Sequence, residues 1–158
     1  MPTPEFVLKL REKIGHDLLW MTGVTAVIFD EQGRILLCRR SDNGAWTPIT
    51  GIVDPGEEPA ATAAREAEEE AGVVVEVEGL AAVKSESPRQ FPNGDNVQFM
   101  DLTFRCRYLS GTARVNDEES TEVAWASPDQ LPEMSSRMLR RIRDAAEFDG
   151  TTRFVRGD

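Results

Sequence analysis

The sequence predicts an α/β or α+β fold in which helices flank one mixed β-sheet. Segments with strand-like apolar patterns alternate with segments of helical periodicity. One central helix carries clear sequence signals at both of its ends. The chain has 158 residues, which is enough for one hydrophobic core and too few for two ordinary domains. We therefore expect residues 1–158 to form a single domain.

The first predicted elements are a short N-terminal helix and a β-hairpin. Apolar residues among charges predict an amphipathic helix over 5–19. The apolar runs 24–30 and 34–40 are separated by the turn Glu31-Gln32-Gly33, which favours a hairpin.

A helix is predicted from Pro59 to Ala71 because proline suits its first position and Gly72 suits the residue after its end. Small side chains at three- and four-residue spacing would let this helix lie close to a sheet: Ala60, Ala63, Ala64, Ala67 and Ala71.

The remaining elements complete the sheet and end the chain. Apolar runs at 73–83 and 97–109 predict two further strands. Ser127-Pro128-Asp129 indicates a short turn or helix, and a C-terminal amphipathic helix is predicted over 135–148.

Composition excludes several classes of function. The formal net charge is −10, and no long basic run is present, so nucleic acid is not an expected partner. No apolar run approaches the roughly 20 residues of a membrane span, and the N-terminus does not resemble a signal peptide, so we expect a cytoplasmic protein without a membrane partner. Cys38 and Cys106 are interpreted as buried thiols. A homodimer is compatible with these features, and the oligomeric state stays open.

Three glutamates share one face of the central helix. Glu66, Glu69 and Glu70 stand at i, i+3 and i+4, where like charges repel. The only basic residue nearby, Arg65, is predicted on a neighbouring face. A divalent cation would relieve the repulsion, and ligands that are all oxygen suit Mg²⁺, or Mn²⁺ as a substitute, rather than zinc. The alternative is an ordinary solvated helix face.

The surrounding residues favour the metal site. The stretch reads Gly51-x5-Glu57-x7-Arg65-Glu66-Ala67-x-Glu69-Glu70-x-Gly72-Val73. It resembles the Nudix box, with one departure at Ala67, where a bulky aliphatic residue is usual. The resemblance implies an α/β/α sandwich around a mixed sheet, with a catalytic loop-helix-loop at about 51–73. It also implies hydrolysis of a diphosphate linkage with Mg²⁺ as cofactor.

The resemblance also implies roles for individual residues. Glu66, Glu69 and Glu70 would hold the metal, and Glu66 or Glu70 would accept a proton from the attacking water. Glu57 would tie the loop to the helix with Arg65. Further metal ligands would be the carbonyl of Thr50 and the carboxylate of Glu119, which lies in the acidic segment 116–122; Glu122 and Glu118 are the next candidates there.

The substrate is less constrained than the chemistry. Pro88 lies fifteen residues beyond Val73, a position that resembles the proline of ADP-ribose hydrolases within the family. Candidate substrate-binding residues are Arg39, Arg89 and Phe91, and of Arg39 and Arg40 only one can face the pocket because side chains alternate along a strand. We therefore expect a small-molecule partner that is a nucleoside diphosphate linked to another moiety, such as ADP-ribose or a nucleotide sugar. The alternatives are nucleoside triphosphates, dinucleoside polyphosphates, or a non-catalytic nucleotide-binding regulator.

Overall fold

A computed structural model describes residues 3–157 of the chain. The helices are α1 (Glu5–Ile14), α2 (Pro59–Ala71) and α3 (Ser136–Ala146), and a short 3-10 helix covers Pro128–Gln130. The strands are β1 (Leu19–Phe29), β2 (Ile35–Arg40), β3 (Trp46–Thr47), β4 (Ile49–Ile52), β5 (Val74–Ser85), β6 (Arg89–Gln90), β7 (Asn96–Ser110), β8 (Ser120–Ala126) and β9 (Arg153–Phe154). Among the described residues, no helix combines the length and apolar character needed to cross a bilayer.

All of these strands join one mixed sheet, which confirms the predicted fold class. Its main order is β3-β2-β1-β7-β5-β9, with β4 paired to β1, β6 to β7 and β8 to β2. The β1·β7 and β5·β9 pairs are parallel and the others are antiparallel. Parallel pairing of β1 with β7 needs a long connection, and α2 lies within it.

The sheet carries a helix on each face, which gives the expected α/β/α sandwich. On one face, Ala63, Ala67 and Ala71 of α2 are fully buried against core residues such as Ile28 and Leu36. Ala64 is only partly buried and Ala60 is exposed, so the alanine face is narrower than predicted. On the other face, α3 packs Ile142 and Ala145 against a second cluster of buried residues.

The boundaries of α2 match the prediction because both ends are set locally. Pro59 begins the helix, and Gly72 follows it in the left-handed conformation at φ 70°. A Gly72 side chain would also collide with Arg114, since its β-carbon would lie 2.5 Å from Nη1. Local sequence thus fixes the length of the helix that carries the candidate site.

Two predictions, about α1 and about the first hairpin, were wrong in detail. The N-terminal helix ends at Ile14, because Gly15 turns the chain at φ 60° and Leu19 already pairs with Val97 in the sheet. The predicted hairpin of β1 and β2 has a single paired position, Phe29 with Ile35. Beyond it the strands separate, because β1 takes β4 and β7 as neighbours while β2 takes β3 and β8.

The segment between β5 and β7 contains a short hairpin. Strand β6 pairs Arg89 with Val97 and Gln90 with Asn96 of β7. The C-terminal helix starts within one residue of the predicted position, and the Ser135 hydroxyl accepts a hydrogen bond from the backbone N–H of Met138 as its N-cap.

Candidate active site

Glu66 and Glu70 lie one helical turn apart on the face of α2 that points into the protein. Glu66 is fully buried, and Glu70 is 6% exposed. Carboxylates are rarely buried to this degree unless they are paired or bind a cation. Their burial is the first structural indication that this helix face is a site rather than a solvated surface.

Gly51 on β4 makes room for Glu66. A β-carbon at position 51 would lie 2.5 Å from Cγ of Glu66 and 2.7 Å from its Oε1. The backbone of β4 therefore lies directly against the Glu66 carboxylate. Thr50 is the preceding residue of the same strand, and its carbonyl as a metal ligand stays a prediction.

Arg65 fastens the loop before α2 to the helix. Its Nε donates to Oε2 of Glu57 at 2.8 Å and its Nη2 donates to Oε1 at 3.0 Å. The hydroxyl of Thr62 also donates to Glu57, at 2.6 Å. Hydrogen bonding from Arg65 lowers the pKa of Glu57 to about 2. Such a bidentate, charge-assisted pair fixes both geometry and charge.

Arg65 also reaches two of the box glutamates from its neighbouring face of the helix. Its Nη1 donates to Glu66 Oε1 at 3.1 Å and to Glu69 Oε2 at 3.0 Å. Its long side chain lets one guanidinium serve residues on adjacent faces. The Glu69 side chain is half exposed, and Arg65 therefore compensates part of the repulsion along the helix.

The acidic segment 116–122 is tied to the C-terminal end of α2. The side-chain amide of Asn116 donates to the carbonyls of Glu68 and Glu69, each at 3.1 Å. Its backbone N–H donates to the carbonyl of Glu70. The final carbonyls of a helix have no partner within the helix. Asn116 satisfies three of them and fixes the acidic segment beside Glu70.

The result is an acidic cluster of Glu70, Asp117 and Glu119. One carboxylate oxygen from each lies within 4.8 Å of the other two. The backbone N–H of Glu119 donates to Asp117 Oδ1 at 3.0 Å, and the backbone N–H of Ser41 donates to the Glu119 carbonyl at 2.8 Å. Glu119 was a sequence candidate, whereas sequence reasoning missed Asp117. Its only signal was a position two residues before Glu119, where an aspartate readily closes a turn.

The two other acidic candidates of this segment lie outside the cluster. Glu122 accepts a hydrogen bond from Arg39 at 2.9 Å across the β2·β8 pair. Glu118 is exposed, and its carbonyl accepts a hydrogen bond from the Ser41 hydroxyl.

The electrostatics of the helix face suit a cation. Burial raises the pKa of Glu66 and of Glu70, and the Glu66 charge raises that of Glu70 further. Burial also raises the pKa of Asp117. The Oε2 atom of Glu66 is buried without a hydrogen-bond partner. A buried acceptor without a partner is costly, and a hard divalent cation would supply the missing partner with oxygen ligands alone.

The candidate substrate residues lie on two different parts of the sheet. Arg39 is held on the outside by Glu122 and by the Gly44 carbonyl. The pKa of its neighbour Arg40 is raised by hydrogen bonds to Asp42. The charge of Glu70 in the candidate site raises the pKa of Arg40 further. Arg89 and Phe91 lie at β6 and the turn after it, with the Arg89 Cζ 5.7 Å from the Phe91 ring centroid. Their roles stay predictions.

Comparison with known proteins identifies the family of the chain. The NUDIX domain family model matches residues 19–145. A MutT-like protein of Streptomyces ambofaciens is 35% identical over 133 residues, covering 84% of this chain and 80% of that protein. The human 8-oxo-dGDP phosphatase NUDT18 is 32% identical over 132 residues, covering 82% of this chain and 37% of that protein.

A solved structure extends the likeness to three dimensions. The ADP-ribose pyrophosphatase of Streptococcus suis superimposes with a TM-score of 0.62 at 25% identity, covering 85% of this chain and 98% of that chain. The matched residues include α2, the acidic segment beside it and nearly all of α3. The chain therefore belongs to the Nudix hydrolase family and is a Nudix-type pyrophosphohydrolase.

Proposed function

We propose that this chain uses Mg²⁺ to hydrolyse the diphosphate linkage of a nucleoside diphosphate joined to a second moiety, with ADP-ribose as the leading candidate. The observation that carries the proposal is the acidic cluster beside the buried Glu66 oxygen that lacks a partner. Mg²⁺ prefers such oxygen ligands and binds phosphate oxygens at the same time.

The ligands would come from two parts of the chain. Glu66 and Glu70 extend from α2, while Asp117 and Glu119 approach from the acidic segment. Glu69 is a further candidate at the exposed edge, where Arg65 now holds it. When bound, the cation would neutralise phosphate charge and acidify a coordinated water.

The chain's own groups account for the remaining steps. Water attacks one phosphorus atom, the bond from that phosphorus to the bridging oxygen breaks, and a carboxylate accepts the proton that the water loses. Glu66 and Glu70 are the two candidate acceptors, because both are buried on the inward face of α2 and Glu70 belongs to the cluster. With ADP-ribose the products are AMP and ribose 5-phosphate.

The second moiety is inferred from the substrate side of the fold. Pro88 opens the β6 hairpin, and Arg89 and Phe91 place a guanidinium and an aromatic ring beside each other there. Arg89 offers a hydrogen-bond donor for a phosphate oxygen, and Phe91 offers an aromatic face on which a base or sugar can stack. The structural likeness to the ADP-ribose pyrophosphatase supports the same substrate class.

A nucleoside diphosphate with an oxidised base is the second candidate. It is favoured by the 32% identity with the human 8-oxo-dGDP phosphatase. That substrate would release inorganic phosphate and a nucleoside monophosphate, whereas ADP-ribose would release no inorganic phosphate.

A substrate panel with product analysis tests the proposal. ADP-ribose, nucleotide sugars, dinucleoside polyphosphates, 8-oxo-dGDP and nucleoside triphosphates are incubated with Mg²⁺ and with a chelator. We expect the highest kcat/KM for ADP-ribose or a nucleotide sugar, and no turnover with the chelator. A higher kcat/KM for a triphosphate or for 8-oxo-dGDP would reject the substrate class and leave the hydrolase assignment intact.

A further inference from the structure

A cleft with a cavity volume of about 490 Å³ lies between the end of β5 and the first turns of α3. Its walls carry five basic side chains and one acidic one, together with serines: Lys84, Arg89, Arg137, Arg140, Arg143 and Glu86. We refer to it as the basic cleft. In a chain with a formal net charge of −10, this is a marked local excess of positive charge.

The single carboxylate of the basic cleft is already engaged. Glu86 is 8% exposed and accepts hydrogen bonds from Arg140 and, at 3.0 Å, from Nη2 of Arg141. Burial alone would raise the pKa of Glu86, but the hydrogen bonds from Arg140 and Arg141 outweigh it and lower the pKa. The four other basic residues of the cleft form no ion pair with a residue in the range 3–157: Lys84, Arg89, Arg137 and Arg143.

Two of these arginines, Arg137 and Arg89, donate no side-chain hydrogen bond to another described residue. Nε of Arg137 is buried without a hydrogen-bond partner, which is a costly arrangement for a donor. Arg89 is solvent-exposed, and its Cζ lies 5.7 Å from the ring centroids of Phe91 and Phe99, which are favourable cation–π contacts. Desolvation, with the charges of Arg137, Arg141 and Arg40, lowers the pKa of Arg89 to about 10. The guanidinium stays charged at neutral pH, and a bound anion would relieve the repulsion.

The basic cleft lies at the same level along the strands as the candidate active site, on the α3 face of the sheet, whereas Glu66 and Glu70 extend from α2 on the other face. Ile52 of β4, next to Gly51, pairs with Gly23 of β1. Gly23 pairs with Asp101 of β7, which pairs with Lys84 of β5. Three strand spacings of about 4.8 Å separate the ends of this row by roughly 14 Å. The charge of Arg40 contributes to lowering the pKa of Arg89, and the charge of Glu70 contributes to raising the pKa of Arg40. A nucleotide that reaches both regions would pass between β1 and β2, which pair only at Phe29 and Ile35 among the described residues.

We propose that the basic cleft binds a phosphate group carried by the second moiety of the substrate, through Arg137, Arg89 and Lys84. This inference rests on the proposed function and narrows it from any nucleoside diphosphate derivative to one with an additional phosphate. A cavity of this size matches a small-molecule subsite. The overall negative charge of the chain disfavours a long polyanion.

Binding measurements without divalent cations test the proposal, because they need no turnover. Calorimetry compares inorganic phosphate, ADP-ribose and ADP-ribose with an extra phosphate on its terminal ribose, all in the presence of a chelator. We expect the phosphorylated compound to bind at least about tenfold more tightly than ADP-ribose, because one additional charge-assisted hydrogen bond accounts for a difference of that size. Inorganic phosphate should compete with the phosphorylated compound.

Variants assign the effect to the basic cleft. Arg137→Gln and Lys84→Gln should each remove most of the preference and weaken phosphate binding at least about tenfold. Lys84→Gln breaks none of the ion pairs of the described residues, so it still tests the cleft if Arg137→Gln does not fold. Arg107→Gln is the matched control, since Arg107 pairs with Glu76 at the opposite end of the β5·β7 ladder.

The binding results distinguish failure of the phosphate site from failure of the substrate assignment. No phosphate binding to the wild type, or equal binding by Arg137→Gln, Lys84→Gln and Arg107→Gln, would overturn the site. Phosphate binding without a preference for the phosphorylated nucleotide would show that free phosphate occupies the cleft and would overturn the substrate assignment. If the proposed function fails, turnover is absent while these binding results stand.

Discussion

Gly51 and Glu66 are in contact so close that residue 51 cannot carry a side chain without moving the glutamate. A β-carbon there would lie 2.5 Å from Glu66 Cγ. The φ angle of Gly51 is not in the left-handed region, so the requirement is one of space and not of backbone conformation. The box glycine thus sets where the buried carboxylate lies.

Gly51→Ala should therefore reduce activity more than stability. Displacing Glu66 by about 1 Å is expected to lower kcat by at least about 100-fold. Steady-state kinetics and the Tm are measured together. The control is Gly56→Ala, because Gly56 has φ 86° and no heavy atom within 4 Å of an added β-carbon. That variant should lose about 1–2 kcal/mol of stability through backbone strain and keep its kcat. Near-normal kcat in Gly51→Ala would contradict the placement of Glu66 in the site.

Glu66→Gln and Glu70→Gln should each lower turnover at least about 100-fold, because each removes a metal ligand or proton acceptor with little change in volume. Both charges are buried, so the metal-free Tm should stay the same or rise. Glu68→Gln is the control, since Glu68 is exposed on the opposite face. Activity within a few-fold of wild type in both variants would reject the assignment.

A helix or strand could be predicted from the sequence where the residues that determine it are its own neighbours. The bounds of α2 were predicted because Pro59 and Gly72 act on their own neighbours. The strands β3 and β4 were missed because two and four residues are too few to show a strand pattern, and because β1, the partner of β4, is distant in sequence. The hairpin was overestimated for the same reason: β1 forms most of its ladder with β7.

The candidate site follows the same rule. The box glutamates were identified from their spacing on one helix. Asp117 was missed because its proximity to Glu70 depends on Asn116, which attaches the acidic segment to the carbonyls at the end of α2. No pattern within 116–122 states which of its acids turns inward.

Asp117 and Glu119 should both contribute to metal affinity. Asp117→Asn and Glu119→Gln are each expected to raise the Mg²⁺ concentration for half-maximal activity by about 10-fold or more, as loss of one charged ligand weakens a hard-cation site. Glu118→Gln is the control, since Glu118 lies outside the cluster. Activity is titrated with Mg²⁺, and Mg²⁺-induced stabilisation is followed in parallel by Tm. Equal Mg²⁺ dependence of all three variants would remove the acidic segment from the metal site.

The pair of Glu57 and Arg65 should make stability fall in acid. Arg65 holds the pKa of Glu57 at about 2, below its ordinary value of 4.5. The folded state therefore binds fewer protons than the unfolded state between these values. The stabilisation is fully present above about pH 4.5 and is lost as the pH falls toward about 2. In metal-free buffer, the Tm of the wild type should fall more steeply below about pH 5 than that of Glu57→Gln. Glu58→Gln is the control, because the Glu58 side chain makes no capping hydrogen bond to α2. If wild type and Glu57→Gln lose Tm in parallel, the pair does not stabilise the loop before α2.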